Sequence, residues 1–284
     1  MLKVGSLFSG AGLCDLGLSW AGFEHQWFCE IDPFCRAILA RHWPDTLIYN
    51  DVSGLKGTDL PPVDVLCGGF PCQDVSSAGG RAGIKQGTRS GLWYEYARII
   101  GEIRPRYVII ENVRGLLSRG IEIVLQDLAA LGYDAEWEVL PAAALGAPHH
   151  RERVFIVAYP HGRLSDGGHR LLSPLQGNLG NVNQSPQLFD WLGLRIDRAR
   201  KASALEVYPG PVLYRVDDGR LCGLDGTGRP QPGHAHKIGR VDTATARAWV
   251  PRLKALGNGI TPRQSYAVAA CILQAEGLPV PPRP

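Results

Sequence analysis

Along the first 160 positions, short apolar runs alternate with stretches in which apolar residues recur at helical spacing. Runs ending at Leu7, and spanning 25–29, 47–49, 63–67, 106–110, 136–140 and 153–158, predict strands rich in Val, Ile and aromatic residues. Between them, helical spacing from Leu13, over 34–42 behind Pro33, near 90–103 and near 118–131 predicts helices. Strands and helices in this order predict an α/β fold: a mostly parallel sheet covered on both faces. The pattern breaks at about residue 161 and resumes in a closing helix, 262–276, whose apolar face carries Tyr266, Val268, Ala269, Ile272 and Leu273. Three regions follow: 1–160, a smaller irregular 161–250, and 251–284 packing back on the first, with residues 279–284 expected to fray.

Composition narrows the class. With 284 residues, 45% hydrophobic and 20% charged, the chain can bury a full core. The sequence has no apolar run of membrane-spanning length and enters a strand directly, so a cytoplasmic protein without membrane span or signal peptide is expected. Seven cysteines without a Cys-x-x-Cys spacing point to reduced thiols and no bound metal. Residues 1–159 carry 14 Lys/Arg against 18 Asp/Glu, residues 160–247 carry 12 against 8, and the remainder 4 against 1. A basic excess after a catalytic-looking region fits a polyanion partner, and also fits an ordinary solvated surface.

Candidate chemistry gathers at the predicted strand ends. The first strand runs into Phe8-Ser9-Gly10-Ala11-Gly12 before a helix, a turn that lets a ligand approach the backbone at a helix N-terminus; such a turn also serves packing alone. The second ends in Glu30-Ile31-Asp32 about twenty residues later, where an acid can grip ribose hydroxyls. Gly68-Gly69-Phe70-Pro71-Cys72-Gln73 places a cysteine on a turn after a buried strand, as a nucleophile or as a buried structural thiol. In Tyr107-Val108-Ile109-Ile110-Glu111-Asn112-Val113, an acid ends a strand where desolvation would raise its pKa; a solvated loop carboxylate is the alternative. Residues 79–91 interleave five glycines with Arg81, Lys85 and Arg89, a basic lid after the cysteine.

Taken in order, Leu7-Phe8-Ser9-Gly10-Ala11-Gly12, Glu30, Asp51, Pro71-Cys72-Gln73, Glu111-Asn112-Val113, Arg151-Glu152-Arg153 and Leu256-Gly257-Asn258 resemble the motifs of the DNA cytosine-5 methyltransferases of bacterial or phage type. The resemblance implies a Rossmann-like, S-adenosylmethionine-dependent sheet with a smaller target-recognition domain. Phe8, Gly10 and Gly12 would wrap the cofactor, Glu30 would hold its ribose, Asp51 would reach its adenine, and Ile31, Leu92 and Asn258 would be further cofactor-binding positions. Cys72 would add to C6 of cytosine, Glu111 would bond N3 and the exocyclic amine, and Arg151 and Arg153 would hold the base oxygen. The target base would be flipped out of double-stranded DNA, with Ser76 and Arg89 as phosphate or base contacts. Residues 161–250 would read the target, Arg198 and Arg200 lying in a basic cluster with Arg195 and Lys201. A monomer, and a place in restriction-modification, are the accompanying expectations. A tRNA-methylating branch and a catalytically silent nucleic-acid-binding relative share the pattern. The chain departs from it at Ser6, where the family has an acid; at Leu13, where it has glycine; at His149, where it has glutamine; and at Gly259, where it has serine.

Overall fold

The computed structural model describes residues 1–71, 91–147, 150–164, 170–176, 214–217, 220–223, 236–237, 255 and 259–282. Two compact units make up the chain: Met1–Leu194 with Ala255–Pro284, and Arg195–Lys254. In the larger unit the described elements are β1 (Lys3–Leu7), α1 (Leu13–Trp20), β2 (Glu24–Cys29), α2 (Pro33–His42), β3 (Leu47–Tyr49), β4 (Val65–Gly68), α3 (Leu92–Ile103), β5 (Tyr107–Val113), α4 (Ile121–Ala130), β6 (Tyr133–Leu140), β7 (Arg153–Pro160), α5 (Ser173–Gln176) and, after the second unit, α6 (Pro262–Ala275). The strands form one seven-stranded sheet in the order β3-β2-β1-β4-β5-β7-β6. β1 to β5 pair in parallel, and β7 enters antiparallel between β5 and β6. The α/β reading of the sequence therefore holds, with the reversal confined to one side of the sheet.

Two apolar layers cover the sheet. Val4, Val65, Cys67, Ile109, Phe155 and Val157 bury one face in a core shared with Leu18 of α1 and Tyr266, Val268, Ala269 and Ile272 of α6. Leu66, Val108, Ile110, Val154 and Ile156 bury the opposite face with Trp93, Tyr96, Ile99 and Ile100 of α3 and Val124 and Leu128 of α4. Alternate residues of one strand thus serve opposite cores, as the pleat requires. α1 and α6 pack closely because Gly17 has no side chain: a Cβ there would stand 2.0 Å from the Pro262 carbonyl oxygen. Thr261 and Gln264 cap the start of α6, the Gln264 Oε1 accepting the Thr261 N–H at 3.1 Å, with Pro262 in the first turn.

Two expectations differ from the structure. Residues 279–282 do not fray: the Tyr266 hydroxyl donates to the Pro281 carbonyl and Val280 packs on the core. Nor does the main core stop near 160, since Leu171, Leu172 and Leu175 are buried in it and Glu136 accepts the N–H groups of Leu171 and Leu172 at 2.7 and 3.0 Å. The smaller unit contains β8 (Tyr214–Asp217), β9 (Arg220–Gly223) and β10 (His236–Lys237), an antiparallel sheet in the order β10-β9-β8. No described helix is long and apolar enough to cross a membrane.

Candidate active site

At the carboxyl end of β1 the chain turns sharply, with Phe8, Gly10 and Gly12 at φ of 53°, 56° and 76°. Left-handed backbone is cheap for the glycines and costly for Phe8, so the surroundings must hold it. Glu30 at the end of β2 supplies the brace. Its Oε2 accepts the Gly10 N–H at 2.7 Å and its Oε1 the Asp32 N–H at 2.8 Å. Each carboxylate oxygen keeps a further lone pair, so the same side chain can accept hydroxyl donors. The two glycines differ in surroundings: a Cβ on Gly12 would meet Trp43 at 2.7 Å and Leu39 at 2.9 Å, whereas one on Gly10 would meet nothing within 4 Å among the described residues. Beside this open stretch the Ile31 side chain is 71% exposed, and Phe8 and Leu92 lie at the margin of the α3 core, the Phe8 ring 6.1 Å from Tyr96. Asp51 accepts the Ser53 N–H at 3.0 Å and starts the turn after β3. An open glycine turn, an uncovered aliphatic side chain and a carboxylate with spare acceptors suit a nucleoside-bearing ligand.

Behind this turn is a buried polar group that the sequence pattern did not disclose. Asp15 Oδ1 meets His25 Nε2 at 3.2 Å and accepts from the Cys67 thiol at 3.5 Å. Its Oδ2 is buried with no hydrogen-bond partner among the described residues. Ser6, also buried, stands beside Cys67. A carboxylate is therefore present near the position where the family pattern has its acid, reached from α1 instead of β1. The three residues come from α1, β2 and β4, which is why linear spacing gave no sign of them.

The second half of the site lies at the ends of β4, β5 and β7. Glu111 and Arg153 project from the same sheet face, two residues apart in the register, and the Arg153 Nε–Glu111 Oε1 distance is 2.9 Å. Their side chains are 15% and 13% exposed. Burial pushes the Glu111 carboxyl up to about 7, against the opposing pull of the Arg153 and Arg151 charges. Gly69 makes room for it: a Cβ there would stand 2.6 Å from Glu111 Oε2. Asn112 ties the neighbouring turn to the strand, its Nδ2 donating to the Phe70 carbonyl at 3.3 Å while its Oδ1 accepts the Val113 N–H at 2.9 Å. The chain that leads through Pro71 to Cys72 is thus anchored beside Glu111.

Arg151 takes a different course from its neighbour. Its Nε donates to the Gly259 carbonyl at 2.9 Å, with Nη2 directed to the same oxygen, and its own carbonyl accepts from Gln264 Nε2 at 3.1 Å. Its φ is 32°. Gln264 also donates to the Leu140 carbonyl at 2.6 Å, so one buried amide of α6 fixes both sides of the β6–β7 connection. Nothing in the sequence around Gln264 signalled that duty. Cys72, Ser76, Arg89, His149, Arg198, Arg200 and Asn258 lie outside the described residues. Of the expected site residues, the structure gathers Phe8, Gly10, Gly12, Glu30 and Ile31 at one end of the sheet, and Glu111, Arg151 and Arg153 at the ends of β5 and β7.

Residues 2–189 match the family model described as C-5 cytosine-specific DNA methylase. The type II methyltransferase M2.BsuMI of Bacillus subtilis is 37% identical over 165 residues, 55% of this chain and 42% of that protein. The orphan methyltransferase M.Rho11sI of Bacillus phage rho11s is 27% identical across 98% of this chain and 56% of its own length. The chain spans about half the length of the curated relatives it matches. A solved prophage-encoded chain from E. coli, described as a DNA modification methyltransferase, shares the fold at a TM-score of 0.61 and 21% identity, covering 98% of this chain and all of that one.

Proposed function

Because the chain belongs to the C-5 cytosine-specific DNA methylase family, we propose that it transfers a methyl group to C5 of cytosine in double-stranded DNA, with Cys72 as nucleophile and Glu111 as acid. The observation that carries this reading is the Glu111–Arg153 pair beside the anchored turn that leads into Cys72. S-adenosylmethionine would be held by Phe8, Gly10, Gly12, Glu30, Ile31, Asp51, Leu92 and Asn258, and supplies a methyl group made electrophilic by its sulfonium.

Cytosine C5 is a weak nucleophile until the aromatic ring is interrupted. Addition of the Cys72 thiolate to C6 does that, forming a carbon–sulfur bond and pushing electron density towards C5 and N3. A carboxyl with a pKa near 7 is poised to share its proton with N3 as that density arrives. Arg153 remains paired with Glu111 and offers further donors to the base oxygen. Since C6 is shielded in a stacked duplex, the base must leave the helix to reach Cys72. After C5 had gained the methyl group, its proton would pass to water and the carbon–sulfur bond would break to release the Cys72 thiolate, restoring the ring.

Methyl-labelled cofactor offered with mixed duplex DNA, followed by bisulfite sequencing, tests the proposal. Label on cytosine C5 in DNA is expected, and lost in Cys72→Ser. Label on tRNA alone, or an active Cys72→Ser, would overturn it.

A further inference from the structure

Two of the positions at which this chain departs from the family pattern touch one another. Leu13 opens α1 directly after the glycine turn, and Gly259 lies just ahead of α6. A Cβ on Gly259 would stand 2.2 Å from Leu13 Cδ1 and 3.3 Å from Cγ. Real carbon atoms do not approach so closely; the leucine occupies the room that any side chain at 259 would need. The carbonyl of Gly259 is also an acceptor that holds the Arg151 guanidinium. Arg151 sits at φ 32°, and its charge acts on Glu111. An arginine in sparsely populated backbone, gripped at its carbonyl by Gln264 and at its side chain by Gly259, is over-determined by its surroundings.

Docking of α6 on α1 does not by itself require the Leu13–Gly259 contact. Gly17 already admits the Pro262 carbonyl and the Ser265 hydroxyl, at 2.0 and 2.1 Å from a notional Cβ, one helical turn farther from the site. Removing bulk at 259 and adding it at 13 instead fixes where the peptide carbonyl of residue 259 stands.

We infer that Gly259 is a positioning residue for Arg151: Leu13, wedged beneath it, sets the location of its carbonyl, and the carbonyl aims the guanidinium on the Glu111 side of the site. The inference rests on the reading of Glu111 and Arg151 as base-handling groups. It joins the cofactor turn to the acid through two contacts, Leu13 to Gly259 and Gly259 to Arg151, and the charge that Arg151 exerts on Glu111. A change in the glycine turn is then felt at the catalytic carboxyl.

Gly259→Ala should displace the carbonyl from Leu13 and loosen Arg151. Arg151 holds the Glu111 carboxyl down, so its retreat should move the Glu111 titration, followed by carboxyl-carbon NMR, to higher pH. The kcat for methyl transfer should fall ~10–100-fold, the scale of an ångström-sized misplacement. Leu13→Ala combined with Gly259→Ala returns the lost room and should restore both readouts, which also guards against simple misfolding. Tyr266→Phe is the control: it removes the bond of α6 to Pro281 and should lower the Tm and leave the Glu111 titration in place. An unmoved titration in Gly259→Ala, the same shift in Tyr266→Phe, or no rescue in the double variant would overturn the inference. Titration needs no turnover, so a wild type that failed to methylate DNA would sink the functional reading while leaving this test intact.

Discussion

The two halves of the site are built in opposite ways. At the glycine turn, the fixing contacts are local: Gly10 with Glu30 twenty residues on, Asp32 with Glu30, Gly12 against Leu39 and Trp43. At the Glu111 half they are remote, for Glu111 meets Arg153 across two antiparallel strands, and Arg151 is held by Gly259 and Gln264, 108 and 113 residues away. A local framework can take shape once β1, α1, β2 and α2 have folded. The remote one requires α6 to have come back across the second unit's stretch of sequence, with the loop-closure cost that entails. The cofactor end should therefore tolerate injury to α6, and the base end should not.

Glu111→Gln should give the largest effect. Removing a general acid typically costs about 10²–10⁴-fold in rate, while cofactor affinity by calorimetry should be unchanged. A fall of less than threefold would take Glu111 out of the chemistry. The wild-type pH profile sharpens the same point: with the carboxyl at about 7, the proton-donating form is lost as pH rises through that value, and kcat should decline on the alkaline side. Stability carries the same sign. A carboxyl raised above its ordinary range makes the fold bind more protons than the unfolded chain, so its favourable contribution is present below the ordinary range and lost as pH climbs to about 7. Urea melts across that window should show the loss, and its absence in Glu111→Gln.

Next in size, Glu30→Ala should strip both N–H groups of their acceptor and weaken cofactor binding by about 1.5–3 kcal/mol, the range for bonds to a charged group. DNA affinity should stay as it was; an equal loss of both would contradict the separation of the halves. Gln264→Leu leaves the Leu140 and Arg151 carbonyls without this donor and should destabilise by about 1–3 kcal/mol in denaturant melts. Its kcat should drop more than its cofactor affinity. Smallest is Tyr266→Phe, which removes the bond to Pro281 at a cost of about 0.5–1.5 kcal/mol and should leave turnover alone.

The same contrast explains what was legible in the sequence. Strand and helix periods, the glycines after β1 and the acid at the end of β2 are all local signals, and they are legible along the chain. Glu111 and Arg153 were readable as residues, but not as partners, because the register of β5 against β7 is set by the whole pair of strands. Gln264 reads as an ordinary helix residue until the chain folds back. Asp15 and His25 were hidden for a related reason: each is unremarkable on its own element, and only their meeting with Cys67 inside the core gives them a role. Leu171 to Leu175 escaped because a four-residue helix is too short to show a period.

The reversed strand β7 has a bearing on how this molecule can vary. Val113 faces Arg153 and Glu111 faces Phe155, and side chains alternate between the two covered faces. A slip of β7 by one residue would carry Arg153 through the sheet to the α3 side and put Val154 against Glu111. A slip by two would restore the face and leave the guanidinium roughly 7 Å from its mark. Insertions and deletions between β6 and β7 are thus filtered by parity as well as by length. A mutational scan that lengthens residues 141–152 one residue at a time should recover active variants only where the added chain bulges out as loop and passes no shift into the strand.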